Sequence, residues 1–161
     1  MKVLTVDPGK CVGCRLCELA CSLKNSGEFN PARARVRVMG VDEFFTLPIV
    51  CFQCERPYCM EVCPSGALVK DKESGLVSVT KEKCVGCKMC TLACPFGSIV
   101  FSGEDKTAVK CELCGGNPEC TQFCPTGAIE FKESDTAMIY KQRALADKLK
   151  DIYEGIQKGA K

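Results

Sequence analysis

Hydrophobic positions along this chain come in short bursts separated by polar turns. Leu68–Lys70 and Leu76–Val79 flank the polar run DKESG, and Ile99–Phe101 and Ala108–Lys110 flank SGEDKT. Each pair reads as two short β-strands joined by a turn. Val3–Val6 and Ile129–Phe131 read as further short strands. Arg33, Arg35 and Arg37 alternate with Ala34, Val36 and Val38, a period of two that predicts a strand with three arginines on one face. The bland account of that face is the wet side of an edge strand, where positive charge deters aggregation. The sharper account is a docking face for an acidic partner or an electrostatic offset. Near the C-terminus the period changes. Leu145, Leu149, Ile152, Tyr153 and Ile156 fall on one helical stripe, with Lys141, Arg143, Lys148, Lys150, Asp151 and Glu154 elsewhere. This predicts a helical tail over 134–161, packed on its own chain or laid along a partner.

Composition changes the picture. Hydrophobic residues make up 46% of 161, but 16 of them are cysteines; without these, about 36% is apolar, low for a globular chain. An ordinary core is therefore small. The chain has no His and no Trp, which excludes histidine-based acid–base catalysis and His-ligated metals within it. Apolar runs are far short of the ~20 residues of a membrane span. MKVLTVDPGKC lacks a basic segment followed by an apolar one, so no export signal is expected and the reading is cytoplasmic.

The cysteines fall into four groups of four: Cys11, Cys14, Cys17, Cys21; Cys51, Cys54, Cys59, Cys63; Cys84, Cys87, Cys90, Cys94; and Cys111, Cys114, Cys120, Cys124. Disulfides would need an oxidising compartment. Structural zinc sites usually take two separated C-x2-C pairs. The run C-x2-C-x2-C-x3-C-P is instead the bacterial [4Fe-4S] pattern, whose fourth cysteine serves the other cluster of a pair. A loop such as Cys84–Cys90 wraps three corners of one cube, with Gly86, like Gly13, letting backbone approach the sulfides. Cys90 and Cys94 share one face of a helical turn, and Pro95 stops that turn. Pro64 and Pro125 stand in the same place after Cys63 and Cys124, whereas Ser22 follows Cys21 and allows the first helix to run on. Tyr58, Phe52 and Phe96 sit beside ligands as water-excluding shields.

The chain also repeats itself. KCVGCRLCELAC at 10–21 matches KCVGCKMCTLAC at 83–94, and the second and fourth groups share a widened gap holding Pro57 or Pro118. CPSGAL, CPFGSI and CPTGAI recur at 63–68, 94–99 and 124–129. The order tight, wide, tight, wide describes a duplicated two-cluster unit. The expected fold is α+β: two ferredoxin-like [4Fe-4S] modules with short β hairpins and a C-terminal helix. The clusters act as core, so folding is expected to depend on cluster insertion.

These motifs, above all CFQCERPYCMEVCPSGAL at 51–68, resemble the four-cluster ferredoxin-type electron-transfer subunits of multisubunit oxidoreductases. That group includes beta subunits of the dimethyl sulfoxide reductase kind and small subunits of tungsten aldehyde oxidoreductases. The resemblance covers about residues 1–133. It implies that Cys11, Cys14 and Cys17 share a cluster with Cys124; Cys111, Cys114 and Cys120 with Cys21; Cys51, Cys54 and Cys59 with Cys94; and Cys84, Cys87 and Cys90 with Cys63. An inner module at 46–106 would then be inserted into an outer one formed by 1–45 and 107–133. Sequential pairing of first with second and third with fourth group fits the duplication equally well. With Cys87 and Cys90 both present, four cubane clusters are expected. Each ligated site carries about −2, which takes the formal +2 of the polypeptide to about −6 and gives nucleic-acid binding little support.

No nucleophile–base pair, nucleotide loop or flavin signature is visible, so the chain is expected not to be an enzyme on its own. The resemblance implies an electron-transfer subunit in a cytoplasmic hetero-oligomer. Its expected partner is a large catalytic subunit of the tungsten or molybdenum pterin aldehyde oxidoreductase type, possibly with a further flavin/NAD subunit, in anaerobic metabolism. A hydrogenase or carbon monoxide dehydrogenase partner is the near alternative. A free-standing polyferredoxin, a structural conducting oligomer and a zinc-binding module are the competing classes.

Overall fold

In the computed structural model, residues 2–40, 45–135 and 150 are described. The helical stripe expected at 145–156 lies, Lys150 apart, outside them.

The described chain is built from four two-stranded antiparallel ribbons and four short helices. A strand runs into each cysteine group: β1 (Lys2–Val6), β3 (Thr46–Ile49), β5 (Val77–Val79) and β7 (Thr107–Lys110). Another strand follows each group: β2 (Arg37–Gly40), β4 (Leu68–Lys70), β6 (Ile99–Ser102) and β8 (Ile129–Glu133). Each strand leaving a group pairs with the strand entering the next, as β2 with β3, β4 with β5 and β6 with β7. The last ribbon closes the ring. β8 returns to β1 with Leu4 opposite Phe131 and Val6 opposite Ile129. The strands expected at 68–70, 76–79, 99–101, 108–110, 3–6 and 129–131 are all present, to within one or two residues.

The helices lie inside the cysteine groups. α1 (Leu16–Ser26) carries Cys17 and Cys21, and α3 (Met89–Ala93) carries Cys90. Both begin on a residue in left-handed geometry, Arg15 (φ 59°) and Lys88 (φ 62°), so the two repeated loops have the same backbone form. The widened groups use proline instead: Pro57 and Pro118 directly precede α2 (Tyr58–Glu61) and α4 (Glu119–Gln122). Proline presets φ and lacks the N–H that a first turn leaves unused. Pro95 holds Cys94 extended and ends α3, whereas Ser22 lets α1 continue to Gly27. Ser22 is fully buried. Its hydroxyl donates to the Leu19 carbonyl (3.0 Å) and accepts from the Asn30 amide (3.1 Å).

Two hydrophobic cores result, and cysteine is part of both. One gathers Leu4, Val36, Val38, Val50, Leu113 and Ile129 with Cys17, Cys21 and Cys120. The other gathers Leu68, Val77, Ile99 and Ala108 with Cys90. Glu18 ties α1 to β2, its Oε1 accepting from the buried Val38 amide at 2.7 Å.

The arginine run corrects the sequence reading. The strand starts only at Arg37, because Pro31–Arg33 form a 3-10 turn capped by the Asn30 side chain. The three guanidiniums do not make one open face. Arg33 pairs with Glu28 and Glu104, Arg35 with Glu112 at 3.0 Å, and Arg37 donates to the carbonyls of Pro31 and Ala32. Internal pairing accounts for the positive stripe. Among the described residues no helix is long and apolar enough to cross a membrane.

Gly86 has φ +69°, and a Cβ there would come within 3.1 Å of the Lys106 carbonyl and 3.5 Å of the Phe101 ring. The β6–β7 turn thus packs on the cysteine loop, a constraint the sequence reading had assigned to the sulfides. Gly86→Ala is expected to cost about 1–3 kcal/mol through strain and contact together, read as a lower thermal midpoint of the loaded protein. A variant melting like the parent would refute this.

Candidate metal centre

All sixteen cysteines are free thiols. Three small cavities each have four of them in the wall. The first holds Cys21, Cys111, Cys114 and Cys120; the second Cys63, Cys84, Cys87 and Cys90; the third Cys51, Cys54, Cys59 and Cys94. The remaining four are Cys11, Cys14, Cys17 and Cys124. Cys17 is pushed up to about 12, by burial first and then by the charges of Glu18, Cys124 and Cys14. Cys11 packs on the same core as Cys17.

Thiol electrostatics follow these groupings. Burial pushes Cys120 up, and Cys111, Cys21 and Cys114 add to it. Burial likewise raises Cys90, with Cys63, Cys84 and Cys87 contributing. Cys111 is pushed up to about 12, again mainly by burial. Cys63 and Cys124 move the other way. Burial opposes their thiolates, but the amides of Leu68 and Ala67, or of Ile129 and Ala128, outweigh it together with the Ser65 or Thr126 hydroxyl.

The CPxG turn explains this second class. The amide four residues on donates to sulfur in all three copies: Ala67 to Cys63 at 3.3 Å, Ser98 to Cys94 at 3.4 Å, and Ala128 to Cys124 at 3.2 Å. Gly66, Gly97 and Gly127 all have positive φ, which turns the chain back over its cysteine. Cys21 lacks the turn because α1 runs on. Its sulfur is served by the Arg35 amide at 3.2 Å and the Asn25 side chain at 3.6 Å. Backbone N–H groups also reach Cys84 and Cys111, from Ala108 and Leu113.

The donor set fits an iron–sulfur group. Four soft thiols surround each of three cavities, no imidazole competes, and N–H groups aim at the sulfurs, which favours the thiolate and tunes a bound cluster. Among the described residues no three Cys, Asp or Glu side chains converge as a single-ion site. Phe52 and Phe96 meet edge to face at 4.8 Å in the wall of the third cavity, while Tyr58 is half-exposed beneath the Arg56 guanidinium. The two phenylalanines line that cavity and Tyr58 does not, although Phe96 is nearly as exposed as Tyr58.

Sequence reasoning missed two residues. Gln53 and Lys110 are each only 2% exposed and lie in the wall of the third cavity. Gln53 donates to the Cys111 carbonyl (2.7 Å) and accepts from the Val77 amide (3.0 Å). Lys110 donates to Gln53 Oε1 (3.2 Å), the Cys111 carbonyl (2.8 Å) and the Val77 carbonyl. The signal was faint: a lysine precedes Cys11, Cys84 and Cys111 alike, but Lys10 and Lys83 are exposed.

Comparison with known proteins agrees with the donor chemistry. A model of the 4Fe-4S dicluster domain matches residues 42–134, and one of the 4Fe-4S binding domain matches residues 4–22. The chain is 42% identical over 92 residues to the polyferredoxin-like subunit of an aliphatic sulfonate oxidoreductase from Pyrococcus furiosus, covering 57% of this chain and 53% of that one. It is 39% identical over 113 residues to the beta subunit of an NADH-dependent phenylglyoxylate dehydrogenase from Aromatoleum evansii (68% and 25%). The electron transport protein HydN of Escherichia coli is 39% identical over 106 residues (61% and 58%). The chain thus spans about half the length of two of these relatives and a quarter of the third. All three are named as electron-transport proteins or as subunits of larger oxidoreductases. With more than half its length matched by the domain model, the chain belongs to the 4Fe-4S dicluster domain family.

Proposed function

We propose that this chain is the iron–sulfur subunit of an oxidoreductase complex, relaying electrons through four [4Fe-4S] clusters between a catalytic subunit and a further donor or acceptor subunit. The observation that carries the reading is the trio of cavities, each walled by three cysteines of one group and one of another. The fourth set is Cys11, Cys14, Cys17 and Cys124. In this reading the inner module at 46–106 holds the sites of Cys51, Cys54, Cys59, Cys94 and of Cys84, Cys87, Cys90, Cys63. The outer module, 1–45 with 107–133, holds the other two. The two cores, drawn largely from those same segments, support the division.

A bound [4Fe-4S] group supplies a one-electron couple at each site. The chain's residues do the rest. Their thiolates hold it, the CPxG amides and the Arg35 amide lean on sulfur, and Phe52 with Phe96 keeps water from the third cavity. Cys14 and Cys87 are the exposed cysteines. Beside them stand exposed apolar side chains, Val12 and Leu16 at one loop and Val85, Met89 and Leu92 at the other. These two loops suit entry and exit of electrons, because a thin protein layer at a partner contact shortens the transfer distance.

For the partner we favour a tungsten or molybdenum pterin oxidoreductase of the aldehyde oxidoreductase kind, in a cytoplasmic complex. The Pyrococcus relative, a polyferredoxin-like subunit of an oxidoreductase, supports a multisubunit setting. Metal analysis of the complex isolated anaerobically through a tag on this chain tests both levels. About sixteen irons per chain are expected, with tungsten or molybdenum from the partner. Nickel in place of those metals would instead indicate a hydrogenase or carbon monoxide dehydrogenase partner. Zinc in place of iron would overturn the reading altogether.

A further inference from the structure

Lys110 carries one of the few buried charges among the described residues. Its side chain is almost wholly inside the protein. It has three acceptors around Nζ: Gln53 Oε1 at 3.2 Å, the Cys111 carbonyl at 2.8 Å and the Val77 carbonyl. Three acceptors match the three N–H bonds of an ammonium, whereas a neutral amine has only two to give. Among the described residues no carboxylate forms an ion pair with it. A buried charge without a counter-ion is costly unless something nearby supplies opposite charge. The third cavity does so. Lys110 shares its wall with Cys51, Cys54, Cys59 and Cys94, and its own neighbour Cys111 belongs to the first cavity.

We propose that Lys110 is a fixed positive charge, held between two cluster sites, that raises the reduction potential of the group bound by Cys51, Cys54, Cys59 and Cys94 and, more weakly, of that bound by Cys21, Cys111, Cys114 and Cys120. This rests on the reading that those cysteines hold [4Fe-4S] clusters. The balance is simple. One electron from an external reductant takes the core from 2+ to 1+, and the site with its four thiolates from −2 to −3. No bond forms or breaks and no proton moves, because Lys110 already carries its charge. An ammonium favours the more negative state, and burial keeps water from screening it. Gln53 is its positioning residue. With Oε1 toward Lys110 and the amide nitrogen on the Cys111 carbonyl, it fixes the ammonium between the two sites.

The test is an anaerobic redox titration of the full chain with dithionite, followed by electron paramagnetic resonance. Lys110→Met is expected to make reduction of one component about tenfold less favourable, a fall of 59 mV for a one-electron couple, with a smaller fall in a second and the other two unmoved. Lys110→Arg keeps the charge and is expected to leave the curve in place. An unmoved curve in Lys110→Met at full iron content overturns the proposal. If Lys110→Met loses its clusters, Lys110→Gln is titrated in its place, since its amide still donates to a carbonyl. Loss of clusters in both neutral variants but not in Lys110→Arg overturns tuning in favour of a purely structural charge. A parent protein lacking iron and visible absorbance would instead sink the cluster reading beneath it, an outcome distinct from an unmoved potential.

Discussion

Removing iron from this protein is expected to abolish its cooperative fold. Both hydrophobic cores contain cysteines, and few large apolar side chains are fully buried: Leu4, Ile129, Val50 and Val77 head that set. The space between them is taken by thiol-lined cavities. Where ligands from distant segments converge only around a bound metal group, the binding free energy of that group is folding free energy. A small domain has only about 5–15 kcal/mol of stability to lose. The strands do not compensate, since ribbons of two short strands are marginal alone. Anaerobic treatment with a chelator and mild oxidant, followed by thermal melting under circular dichroism, should replace a sharp transition with a broad slope. An iron-free protein that still melts sharply near the parent's midpoint would show that the polypeptide supplies its own core.

The second large effect concerns which cysteines work together. Cys21→Ser should remove or cripple one cluster, taking iron from about sixteen to about twelve per chain. Adding Cys114→Ser should then change little, because Cys21 and Cys114 lie in the wall of the same cavity. Sequential pairing would put Cys21 with the second group, and the double variant would then fall to about eight irons. The converse pair, Cys21→Ser with Cys54→Ser, should give about eight in the nested arrangement and about twelve in the sequential one. The single Cys21 substitution is also the gentlest probe of its class. It leaves the CPxG turns untouched, and α1 continues past Cys21 on the bonds made by Ser22.

Much of this molecule was legible because its instructions are local. Cysteine spacing names the chemistry, since three thiols within seven residues suit the corners of a cube. Pro after Cys63, Cys94 and Cys124 ends each turn, and Ser22 in that place lengthens α1; both are rules about adjacent residues. The hairpins at 68–79 and 99–110 follow from apolar bursts around polar turns. The arginine run shows where a local rule fails. Alternation over 33–38 satisfied the strand pattern, but Pro31 and the Asn30 cap favoured a 3-10 turn, and Glu28, Glu104 and Glu112 were placed to receive two of the guanidiniums.

Ligand type, the fourfold repeat and most short elements depend on residues a few positions apart, so they were readable along the chain. Which distant groups meet was not. The return of β8 onto β1 across the chain, the gathering of Cys21 with Cys111, Cys114 and Cys120, and the burial of one lysine among three in the same motif all depend on long-range packing. Repeats make such choices invisible in sequence. Equivalent motifs offer equivalent partners, and the shape of the closed ring of hairpins selects among them.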